Sequence, residues 1–181
     1  MNWTIRRCLR LPLHVPPLQY SVRYLALFIC IAGLSLSACS TSPSPPARPV
    51  VAVSVPPQAY FVHRLVGDLA TIETMLPPGA TPATYEPTVA QIEAVQHAVL
   101  YVKVGHPHFP FEHIWLARLL QDAEHLSTVD FSKDVQVLDG DPHVWLSPTI
   151  VRATVPRLAD ALAIQFPEHA QVIRQRAKVI L

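Results

Sequence analysis

The sequence predicts an α/β fold built on a parallel sheet, and three observations carry that expectation. Short apolar runs at residues 50–55 (VVAVSV) and 98–104 (AVLYVKV) are almost unbroken by polar residues, as strands buried on both faces are. Stretches with apolar residues three or four positions apart lie between such runs. Half of the 181 residues are hydrophobic and only 15% are charged, so the chain can bury a core.

Each element follows from its local pattern. Residues 50–55 read as a first strand closed by Pro56-Pro57, and residues 58–65 as a helix with Tyr60, Phe61 and Leu65 at helical spacing before Gly67-Asp68. Residues 71–76 form a second strand ended by Pro77-Pro78-Gly79. A helix over 88–96 places Ile92 and Val95 on one face, and a third strand follows at 98–104. Residues 111–120 read as a helix and residues 135–138 as a fourth strand. After Pro148 the pattern is helical to Phe166, with Pro156 placed at a kink or a first turn. Another helix starts at Pro167-Glu168, with proline and an acid suited to a first turn, and carries no stop signal before Leu181.

Charge divides the chain. Residues 1–49 hold five arginines and no acid, while the remainder carries nine basic against 13 acidic side chains and eight of the nine histidines. A basic leader before a mildly acidic body argues for export and against a nucleic-acid partner. Residues 24–36 (YLALFICIAGLSL) are an apolar run of 13, short of the ~20 that a membrane-spanning helix needs. Its length, basic front and small-residue tail fit a secretion signal. The segment before it is long for such a leader and holds three prolines, which points to a start nearer Val22.

The stretch Leu36-Ser37-Ala38-Cys39 resembles the lipobox of bacterial lipoproteins, which implies that Cys39 becomes an acylated N-terminus. The expected organisation is therefore a signal peptide over 1–39, a Ser/Pro-rich tether over 40–49, an α/β lobe over 50–166 and a further helix from 167. With Cys8 and Cys30 in the leader, the body holds no thiol, so neither a disulfide framework nor a thiolate metal site is available to it.

Open parallel sheets bind ligands beyond the carboxyl ends of their strands. Three loops leave such ends: 77–88 (PPGATPATYEPT), 105–113 (GHPHFPFEH) and 138–148 (LDGDPHVWLSP). They carry His106, His108, His113 and His143 together with Tyr85 and Glu86, side chains that suit Zn²⁺, Mn²⁺ or Fe²⁺ without thiolates.

The ordered elements VSVPPQAYFV, MLPPGATPATYEPT, YVKVGHPHFPFE and DPHVWLSP resemble the solute-binding lipoproteins of bacterial zinc and manganese uptake ABC transporters. The resemblance spans residues 50–181. It implies two α/β lobes joined by a long helix with the metal between them. The helix from Pro167 stands where that connector begins, and the second lobe lies beyond the chain, which reads as truncated. It also implies a monomeric, extracytoplasmic, lipid-anchored protein that delivers a divalent metal to a membrane permease. Zn²⁺ is the expected cargo and Mn²⁺ the alternative.

Carried over by position, His143 matches the ligating histidine of D-P-H-x-W. The family's other ligand in this lobe lies in P-H-x-Y-E, where this sequence has Pro82-Ala83-Thr84-Tyr85-Glu86. Alanine cannot ligate, so His106 is the expected substitute, with His108 second and Glu86 third. Two other function classes compete. The His106-Pro107-His108 pair with Glu112-His113 suggests a zinc hydrolase, in which three protein ligands hold an activated water. A tethered, adhesin-like surface protein with structural metal is the other.

Overall fold

The computed structural model describes residues 48–180 apart from positions 122, 124, 138 and 139. The expected signal peptide, Cys39 and all but the end of the tether lie outside the described residues.

Four strands, β1 (Val50–Val53), β2 (Thr71–Thr74), β3 (Ala98–Lys103) and β4 (Ser127–Asp130), form one parallel sheet in the order β2-β1-β3-β4. The α/β expectation holds, with five α-helices among the described residues: α1 (Pro56–Val66), α2 (Val89–Gln96), α3 (Ala117–Gln121), α4 (Pro148–Gln165) and α5 (Ala170–Ile180). The two central strands are covered on both faces, which is why their sequences lack alternation. Val51, Ala52, Val53, Leu100, Tyr101 and Val102 are all fully buried. Burial of each of these valine and leucine side chains contributes ~1.5–3 kcal/mol relative to exposure.

Beyond β1, Met75 N–H and Leu76 N–H still donate to the carbonyls of Val53 and Ser54 at 2.9 and 3.0 Å, so the pairing outlasts the strand itself. Helix α1 starts on two prolines, whose missing N–H groups would be unpaired there anyway. Buried Gln58 closes its entry, its Oε1 accepting from Ser54 N–H (3.0 Å) and Val55 N–H (3.2 Å). Helix α2 opens on a capping box. Thr88 Oγ1 accepts from Gln91 N–H (3.3 Å), and Gln91 Oε1 accepts from Thr88 N–H (3.0 Å).

One expectation needs correction and two are refined. The fourth strand is Ser127–Asp130 rather than residues 135–138. As an edge strand with one neighbour it needs no continuous apolar run, whereas Val135 and Val137 pack on the core without pairing. The helix over 111–120 begins with a π-helical turn, Glu112–Leu116, before α3. Of the two places expected for Pro156, a kink or a first turn, the first turn is excluded: it sits inside α4 and leaves the carbonyl of Arg152 without its helical partner.

Helix α5 packs against α4 and α1. Ile173 and Ala177 are buried, Arg174 Nε meets Asp160 Oδ1 at 2.8 Å, and Arg176 Nη1 donates to Leu65 O at 2.9 Å. The apolar face exposed by this helix is therefore Val172 and Val179, while Ile173 belongs to the lobe's own core. No helix among the described residues is long and apolar enough to cross a membrane.

Candidate metal centre

Strand order reverses between β1 and β3, so the crevice beyond their carboxyl ends is the topological switch point of this sheet. Chain leaving β3 enters it as Val104-Gly105-His106. Gly105 has φ +74°, and a Cβ there would lie 1.8 Å from Asp130 Oδ1, so glycine is required.

A buried carboxylate fixes this exit. Glu112 Oε1 accepts from Val104 N–H (2.5 Å) and Ser54 Oγ–H (2.5 Å), and its Oε2 from Gly105 N–H (2.8 Å). Tyr101 OH lies 3.0 Å from Ser54 Oγ and completes the network. Burial pushes the Glu112 carboxyl above its ordinary value, although the Ser54 hydroxyl and the two backbone N–H groups pull it back. Burial likewise raises the Tyr101 phenol well above its usual range.

His106 follows, buried, with Nδ1 accepting from His108 N–H at 3.0 Å. A nitrogen that accepts carries a lone pair, which puts the proton of the neutral ring on Nε2. Ligation through Nε2 therefore requires that bond to be given up. The His106 and His108 rings are 5.7 Å apart, and His108 is exposed.

The third loop presents the opposite arrangement. Asp141 Oδ1 accepts from His143 N–H (3.0 Å) and faces His143 Nδ1 at 2.7 Å. A carboxylate only accepts, so Nδ1 carries the proton and Nε2 presents its lone pair outward. The His143 N–H bond, then its ring, holds the Asp141 carboxyl below the usual carboxylate value. Trp145 packs edge-on against the His143 ring, with centroids 5.2 Å apart.

His143 borders a cavity of about 460 Å³ that is also lined by Pro77 to Ala83 of the 77–88 loop. Tyr85 OH donates to Gln91 Oε1 (2.8 Å), and Gln91 Nε2 donates to the carbonyls of Thr74 and Met75 (3.0 Å each), which pins that loop to the end of β2. Glu86 is exposed and does not line this cavity. Among the described residues, no group of three or more His, Cys, Asp or Glu side chains stands close enough to hold a metal.

The zinc-uptake complex component A periplasmic family matches residues 51–181. The chain belongs to that family. It is 24% identical over 174 residues to the zinc-binding lipoprotein AdcA of Streptococcus pneumoniae, covering 83% of this chain and 34% of AdcA. The manganese-binding lipoprotein MntA of Halalkalibacterium halodurans is 27% identical over 126 residues, covering 66% of this chain and 41% of MntA. A crystal structure of ZnuA superposes with a TM-score of 0.66 at 31% identity, covering 73% of this chain and 52% of that one. The chain thus spans about half, or less, of the proteins it matches, consistent with one lobe of a ZnuA-like architecture.

The fold therefore brings His143 and Ala83 to one cavity, and His106 to the switch point beyond β3. One residue of the site was missed in the sequence. Asp141, two residues before His143, is its orienting partner, and the D-P-H spacing itself was the available signal. Glu112 faces inward and holds backbone, so the hydrolase reading loses its carboxylate, while its neighbour His113 turns its Nε2 to the Pro107 carbonyl.

Proposed function

We propose that this chain is the N-terminal metal-binding lobe of an extracytoplasmic solute-binding lipoprotein, anchored through Cys39. It captures a divalent cation, zinc first and manganese as the alternative, and passes it to an ABC permease. The observation that carries this reading is the Asp141–His143 pair, whose histidine borders the cavity. A carboxylate holds one imidazole nitrogen protonated and so turns the other into a metal ligand. The names of the relatives and the matched family support zinc and manganese as cargo. We assign His143 Nε2 as the anchoring ligand, with His106 as the second and His108 next. The family is one of solute-binding proteins, which favours capture over catalysis.

Competition titration with a zinc-chelating dye tests the assignment. His143→Ala is expected to weaken zinc binding at least about ten-fold. Unchanged affinity in that variant would remove the anchoring ligand from the account.

A further inference from the structure

Ser54 follows β1 at its carboxyl end, is fully buried, and is bonded to several other parts of the chain. Its N–H meets the carbonyl of Val102 on β3 at 3.1 Å as well as Gln58 Oε1 in the first turn of α1. Its carbonyl accepts from Leu76 N–H (3.0 Å), just before the 77–88 loop begins. Its hydroxyl donates to Glu112 Oε1 (2.5 Å), on the turn that follows His106. Both Glu112 oxygens also accept N–H groups, so the proton of the Ser54 hydroxyl lies toward Glu112 and Tyr101 OH donates to Ser54 Oγ. A short, buried bond to a carboxylate is of the stronger kind.

Among the described residues three donors meet Glu112, and they do different work. Val104 and Gly105 lie eight and seven residues before it on the same excursion of chain, so their bonds fix the shape of that excursion. Ser54 lies 58 residues away beside another strand, so its bond fixes where the excursion stands relative to β1. Ser132 N–H to Val104 O, at 3.2 Å, is the matching tie on the side of β4. His106 sits inside the excursion. His143 stands on a different loop, against Asp141 and Trp145. The sheet itself does not need the hydroxyl, since β1 pairs with β2 and β3 through backbone groups.

We propose that Ser54 is a positioning residue of the metal centre, its hydroxyl setting, through Glu112, where His106 stands for the cation. The proposal rests on His106 as a ligand in the metal-capture reading above, and it concerns this lobe's share of the coordination shell alone.

Zinc competition titrations of the intact chain, run as a double-mutant cycle over Ser54→Ala and His106→Ala, test it. Ser54→Ala removes one oxygen and no carbon, so the strand end stays packed. It should weaken zinc binding about three- to ten-fold, less than the loss of a group that touches a metal-bound histidine directly. In the His106→Ala background it should change affinity by less than about two-fold, because it acts through His106. Nitrogen-15 spectra of the zinc-loaded Ser54→Ala protein should show the His106 nitrogens displaced and those of His143 unmoved. Glu112→Gln is the second variant: its amide nitrogen cannot accept, so it breaks one of the three bonds at equal volume and should show the same dependence on His106. Unchanged zinc affinity in both variants, with His106→Ala weakened, would overturn the proposal and leave metal capture standing. A loss of the same size with and without His106 would also overturn it and make Ser54 a structural residue only. Wild-type zinc affinity in His106→Ala would instead remove His106 from the metal-capture reading, and the proposal would fall with it.

Discussion

At His143 one ring nitrogen is committed to Asp141 and the other is left to do chemistry, and the division depends on a single carboxylate oxygen that serves both the ring and the backbone N–H. Asp141→Asn replaces an obligate acceptor with an amide that can present either face, so the ring loses its fixed tautomer. Zinc affinity should fall roughly 10- to 100-fold, as it does when orienting partners of metal-bound histidines are removed. Both side chains are more than half exposed, so thermal unfolding should barely change. A competition titration and a melting curve on the same sample check the two halves of this expectation. The carboxyl is depressed, so its contribution to holding this turn is present above its ordinary value of 3.8 and is lost as pH falls through the lower folded value. The sequence proposes His143 only through its resemblance to the family's D-P-H-x-W, since a single loop histidine does not mark a ligand by itself. The tautomers of His143 and His106 were not legible, because they depend on which atom lies opposite each ring nitrogen.

Among the elements, the end of β3 carries the most consequence for the site, since Glu112 ties the first π-helical turn to the backbone that delivers His106. Its pKa is raised in the fold, so the native state holds a proton that the unfolded chain gives up. The associated stability is fully present below about 4.5 and is lost as pH rises through the folded value. Glu112→Gln should flatten this part of the stability profile, and should cost stability at low pH because an amide cannot accept from both Val104 and Gly105 with both of its ends. Denaturant melts of the two proteins across that window test it; identical pH profiles would exclude Glu112 as the titrating group. The central strands and the helices α1, α2 and α4 were legible because double burial and helical spacing write themselves into the residue pattern. Edge strand β4 was not: STVD is partly exposed and reads as loop, while the more apolar segment at 135–137 packs without pairing. The inward aim of Glu112 was not legible, because sequence does not show which way the first turn of a helix faces.

Across the whole lobe, a 2-1-3-4 parallel sheet places two loops of different origin at one switch point, and the 77–88 loop also lines the cavity that His143 borders. The family elements in order made that architecture legible, including the helix from Pro167, whose Ile173 proves to be part of this lobe's core. What the pattern did not reveal was the cavity, because it is assembled from prolines in separate loops and appears only once the loops converge. The central claim is that a divalent cation binds through Nε2 of His143 while Nδ1 keeps its proton on Asp141. Nitrogen-15 NMR of the imidazoles, recorded during a zinc titration of the intact chain, tests this most directly. The account predicts that His143 Nε2 moves to a metal-bound shift with its Nδ1 proton retained. A titration in which zinc binds but the His143 nitrogens keep their metal-free shifts, while other histidines respond, would contradict it.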